Sequence, residues 1–145
     1  MEETNMFQAS NRRVILRTLA AGFALAAQGK ASQVSDQIIS KDQARKQGEA
    51  FGEVRHFVEG NTDQLKGLSV GSIELKPGQA PHPPHTHPEE EILIVTDGHA
   101  EISIEGKVTP VGPGSVMYAS ANRIHGIVNA SSAPMTFFWV KWLAK

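Results

Sequence analysis

The segment Gly78-Gln79-Ala80-Pro81-His82-Pro83-Pro84-His85-Thr86-His87-Pro88-Glu89-Glu90-Glu91, followed at once by Ile92-Leu93-Ile94-Val95, decides how the rest of the chain is read. A proline-rich loop carries three histidines and three carboxylates in its last ten residues, then runs straight into a short apolar strand. On an extended chain, residues two apart point to the same side, so His85 and His87 can grip one cation. A carboxylate a few residues further on can close the grip. Glu91 shares the parity of Leu93 and Val95, and Glu90 that of Ile92 and Ile94, so alternation leaves open which glutamate faces inward.

Outward from this segment the pattern is one of short strands: Val54 to Val58, Leu68 to Leu75, Ile92 to Thr96, Glu101 to Ile104, Val108 to Val111, Val116 to Ala119, His125 to Val128 and Thr136 to Trp142. Turn formers separate them, among them Lys76-Pro77-Gly78, Asp97-Gly98, Glu105-Gly106 and Pro113-Gly114. Runs of this length and spacing predict an all-β domain, a small sandwich or barrel. Upstream, Ser40 with Gln43 three residues on makes a capping box, and the following residues are good helix formers before Gly48. That pattern predicts one short helix over 41–47.

With 145 residues and 40% of them apolar, the chain has the size of one domain with one real core. Fourteen Lys+Arg against 15 Asp+Glu give a formal charge of -1, which leaves no basic field for nucleic acid or an anionic membrane. The absence of cysteine removes disulfides, thiolate metal sites and cysteine nucleophiles, and leaves six histidines and the carboxylates as the chemical groups. There is no complete phosphate-binding glycine loop. Metal chemistry is the constellation that remains.

The first residues read differently. Asn11-Arg12-Arg13-Val14-Ile15-Leu16-Arg17, then an uncharged run from Thr18 to Ala27, resembles a twin-arginine export signal, with Asn11 where serine or threonine is usual. Ten residues of helix span about 15 Å, half of a ~30 Å hydrocarbon core, so a retained membrane anchor is not expected. The expected organisation is a signal peptide over 1–27, a linker with the short helix over 28–47, and a barrel over 48–145, exported to the periplasm or secreted.

His85-Thr86-His87, Glu91 and Gly98 resemble the first motif of the cupin family, with Gly78 one residue displaced, and Gly114, His125 and Asn129 match part of its second motif. Ser120 stands where a proline is usual and Asn122 where a glycine is usual; both are turn positions, and Asn tolerates the left-handed conformation that glycine would supply. The resemblance implies a double-stranded β-helix (jelly-roll) barrel holding one divalent ion, manganese, iron, nickel, cobalt, copper or zinc, on His85, His87, Glu91 and His125. Four ligands leave about two of six positions for water, dioxygen or a bidentate substrate. The net charge near such an ion favours small anionic chelators.

The implied activity is a metal-dependent dioxygenase acting on a small enolic, phenolic or carboxylate substrate, with Glu91 anchoring the ion and exchanging a proton. The alternatives are isomerase or lyase chemistry, or a non-catalytic binding module of the cell envelope. A basic or aromatic pocket converging on the metal would mark an enzyme, and a closed four-coordinate site a binder.

Remaining polar residues are expected at the surface: His82 at the rim, His56 and His99 on strand surfaces, Glu89 and Glu90 as a solvated acidic rim, and Arg123 in a solvated loop. Tyr118 fits either the core or a ligand contact. In the last strand, Phe138, Val140 and Trp142 share one face and Phe137, Trp139 and Lys141 the other. The lysine-bearing face is expected outside, with its aromatics covered by a second copy of the chain in a homodimer.

Overall fold

Alternating apolar residues produce strands β1 (Arg45–Glu49), β2 (Gly52–Gly60), β3 (Leu65–Leu75), β4 (Glu90–Asp97), β5 (Ala100–Ile104), β6 (Lys107–Val111), β7 (Val116–Ala119), β8 (His125–Val128) and β9 (Met135–Ala144). They are seen in a computed structural model that describes residues 32–145; the expected export signal over 1–27 lies outside the described residues. Six strands form one antiparallel sheet in the order β1-β2-β3-β9-β4-β7, and three form a second in the order β6-β5-β8. The fold is all-β, and each strand expected from the sequence is present.

The two sheets face each other across one core. Ile73 and Leu75 of β3, Leu93 and Val95 of β4, Met117 and Ala119 of β7 and Phe137 of β9 meet Ala100, Ile102 and Ile127 from the smaller sheet. The period of two dictates this: alternate positions of β4 read buried and half-buried, with Glu91, Leu93 and Val95 inward. A bulge at Phe57 then changes the parity of β2. His56 ends on the inner side, while Phe57 and Val58 join Val70 and Phe138 on the outer face.

The expected helix over 41–47 does not form. The capping pair is made, with the Ser40 N–H donating to Gln43 Oε1 at 3.0 Å, but only a single turn follows before the chain enters β1. The physical reason is the neighbour: β1 pairs along its length with β2, from Arg45 opposite His56 to Glu49 opposite Gly52, and this ladder outweighs helix propensity differences of under about 1 kcal/mol per residue. Among the described residues no helix is long and apolar enough to cross a membrane.

A second correction concerns β9. Phe137 and Trp139 are buried at 2% and 8% exposure, so the face that carries Lys141 points inward and Phe138, Val140 and Trp142 point out. Burying two aromatic rings is worth about 2–3 kcal/mol each, and the lysine sits near the strand's end, where its ammonium can stay close to water. Gly71, opposite Trp139 in the β3–β9 register, makes room for the indole: a Cβ there would lie 2.0 Å from Trp139 Cη2. Trp139 Nε1 donates to Ser69 Oγ at 3.1 Å, which locks the ring. Gly71→Ala is therefore expected to cost about 1–3 kcal/mol by overpacking. Urea denaturation measures it, and a loss below about 0.5 kcal/mol would show that the ring moves freely.

Candidate metal centre

The loop between β3 and β4 is tied to β8 and its flanks by backbone hydrogen bonds. Gly78 N–H donates to Asn129 C=O and Asn129 N–H to Gln79 C=O, both at 2.9 Å. Further along, His85 and His125 form a two-way antiparallel bridge, His85 N–H to His125 C=O at 2.9 Å and the reverse at 3.0 Å. Gly126 lets the loop press close, since a Cβ there would stand 3.1 Å from Pro84. Asn122 N–H donates to His87 C=O at 2.8 Å, and Asn122 holds φ 59°, the left-handed conformation expected of it.

These ties gather His85, His87 and His125, whose ligand atoms all lie within 4.8 Å of one another. Their ring centroids are 4.9 to 5.1 Å apart, nearly an equilateral triangle. Glu91 joins them from β4, its Oε2 2.7 Å from His125 Nε2 and 3.4 Å from His87 Nε2. The structure thus resolves the choice that parity left open: Glu91 faces inward. Glu90 lies on the outer face instead, where its carboxylate accepts from Tyr118 Oη at 2.7 Å and Trp142 Nε1 at 3.0 Å.

The donor set suits a cation. His125 Nδ1 donates to Arg123 C=O at 2.8 Å and His87 Nδ1 to Glu89 C=O at 3.1 Å, which aims both Nε2 atoms at Glu91 and the cluster. Buried His85 Nδ1 has no hydrogen-bond partner, a cost that coordination chemistry at this spot would relieve. Burial lowers the basicity of His85 below the ordinary histidine range, and His82, His125 and His87 add to the effect. A neutral imidazole is the form that binds metal.

Asn129 is fully buried but does not belong to the cluster; it donates to Leu75 C=O and Ala133 C=O and accepts from Ser131, latching the loop before β9. His82 is exposed at the mouth, its ring 3.8 Å from that of His85. His99 is exposed, and Arg123 faces Glu105 at 3.9 Å with most of its side chain in solvent.

The cluster opens on a cavity of about 490 Å³ whose walls include Phe51, His56, Leu93, Ile127, Trp139 and Lys141. Three of these, His56, Trp139 and Lys141, lie on the face opposite to the one expected from the sequence. His56 was expected on the strand surface, yet it lines the cavity with its ring edge-on to Trp139, centroids 5.6 Å apart. Its parity with the apolar Val54 was the available signal. Trp139 and Lys141 were expected on the outer face.

The cupin domain family matches residues 71–141, the stretch that contains His85, His87, Glu91 and His125. That stretch is a cupin domain. Solved structures carry the same fold: an RmlC-like cupin from Shewanella frigidimarina, 15% identical with a TM-score of 0.63, covers 77% of this chain and 94% of its own. The polyketide cyclase RemF from Streptomyces resistomycificus is 19% identical with a TM-score of 0.61, covering 74% of this chain and 80% of its own. A sugar phosphate isomerase of the cupin superfamily from Silicibacter pomeroyi is 22% identical with a TM-score of 0.59, covering 73% and 75%. No curated protein matches the chain.

The lowered basicity of His85 has a sign that can be tested. Below about pH 6.5 the unfolded chain takes up a proton that native His85 resists, so stability is present above that pH and falls as pH drops through it. Metal-free protein is expected to melt at progressively lower temperature between about pH 7 and pH 5, and His85→Gln to flatten part of that slope. An identical slope in the variant, followed by calorimetry, would assign the acid sensitivity elsewhere.

Proposed function

We propose that this cupin domain is a metal-dependent enzyme, a dioxygenase that acts on a small anionic enolic, phenolic or carboxylate compound. The observation that carries the reading is the cavity: the three imidazoles and Glu91 face an open space walled by aromatic and charged side chains. A purely structural ion site would have no use for such a space.

His85, His87, His125 and Glu91 would hold the ion. Once bound, a divalent transition metal supplies Lewis acidity and, if redox-active, electron transfer to dioxygen. The chain's own residues do the rest. Backbone carbonyls of Arg123 and Glu89 fix the imidazole orientations. Glu91 Oε2, against His125 Nε2, is the atom placed to hold or release a proton. Leu93, Ile127 and Phe137 exclude water, and Trp139 offers a flat wall for a planar substrate.

Stoichiometric metal in the native protein and its loss in His87→Ala and His125→Ala are the expected results of elemental analysis. Metal-replete protein given flavonol, catechol and enediol panels in sealed cells is expected to consume dioxygen. Product without oxygen uptake would instead indicate isomerase or lyase chemistry, and neither product nor uptake a ligand-binding module.

The same proposal places the protein outside the cytoplasm as a homodimer. Its supports are the arginine pair Arg12-Arg13 ahead of an uncharged run, and the outer sheet face, where Val116 and Tyr118 are 63% and 53% exposed beside Ile92 and Val140. Protein recovered from the periplasm should lack its first residues and scatter light as a dimer. Arg12→Lys with Arg13→Lys should leave full-length precursor in the cytoplasm. Normal processing of that variant, or a monomeric mass, would remove the corresponding half of the proposal.

A further inference from the structure

Lys141 is the cation of the cavity wall that the metal site does not use. It stands on β9 directly opposite Glu91 on β4 and shares the inner face with Phe137 and Trp139. Cross-strand partners have Cβ atoms about 4.5–5.5 Å apart, so the lysine stem rises beside the histidine cluster and its ammonium lies within side-chain reach of a ligand held there. Two carboxylates line the same cavity: Glu91, with Oε2 2.7 Å from His125 Nε2, and Glu49, which accepts from Gln47 Nε2. Among the described residues Lys141 makes no ion pair. A half-buried lysine without a close ion pair, beside a flat indole and the histidine cluster, can receive an anion from outside.

We propose that Lys141 determines specificity by binding a second acidic group of the substrate, remote from the oxygens that chelate the metal. The cavity then selects planar chelators that carry a carboxylate on the edge away from the chelating atoms, with Trp139 stacked against the ring. This rests on the metal-site reading above and narrows it from anionic compounds in general to that class. Lys141 is a binding residue in this role and takes no part in proton transfer.

Kojic acid and comenic acid make a matched pair of probes, since both chelate through the same hydroxypyranone oxygens and differ in having a hydroxymethyl or a carboxylate group on the far edge. Calorimetric titration into manganese-loaded protein is expected to give at least about tenfold tighter binding of comenic acid. Lys141→Met should remove that preference while leaving kojic acid affinity within about twofold, and Lys141→Arg should keep it. The preference should shrink at high salt. Manganese content and circular dichroism of each variant report whether the barrel is intact.

Equal binding of the two acids by the native protein, or an undiminished preference in Lys141→Met, overturns the role of Lys141 while the metal site stands. Loss of both ligands in a folded, manganese-loaded Lys141→Met also overturns it, by making the lysine a general support of the cavity. If the loaded native protein binds neither acid, the chelating metal site itself fails and the proposal falls with it.

Discussion

Two backbone hydrogen bonds, His85 N–H to His125 C=O and His125 N–H to His85 C=O, set the distance between parts of the chain that are forty residues apart. Everything chemical depends on that bridge. It joins the proline-rich loop to the smaller sheet, while Glu91 arrives from the larger one, so the cluster forms only where the two sheets close on each other. Glu91 and His125 are 8% and 3% exposed, and groups so buried must satisfy one another or a ligand. The bridge therefore supplies geometry, and burial supplies the electrostatic demand that a cation would answer.

The cavity has a second determinant, the fit of Trp139 over Gly71. The indole lies where any side chain on β3 would have to be, and its hydrogen bond to Ser69 prevents rotation away. It forms a flat wall with His56 edge-on beside it. Because the same strand face continues to Lys141, burying the aromatics also draws a cation toward the cluster. Packing of the core and polarity of the site are thus coupled through the alternation of a single strand.

The cyclase and the isomerase whose folds resemble this one have different activities by name, which illustrates why a barrel does not choose a reaction. Here Phe51, His56, Trp139, Lys141 and Glu49 stand in the wall beside the histidines, so the cavity mixes aromatic and charged groups.

The all-β class, the positions of eight strands, the histidine pair and the left-handed turn at Asn122 were legible in the chain's local pattern, because alternation, turn chemistry and close spacing are local properties. That pattern did not determine which of Glu90 and Glu91 turns inward, since adjacent residues on a strand differ only in which side the core lies. The same ambiguity misplaced the faces of β9 and of His56: the burial of two aromatic rings decided the first, and His56 follows the inward parity of buried Val54. The local capping pair at Ser40 and Gln43 pointed to a helix, but strand pairing with β2 prevailed. Only the tertiary structure could settle these points, because each depends on a partner strand that the local pattern does not contain.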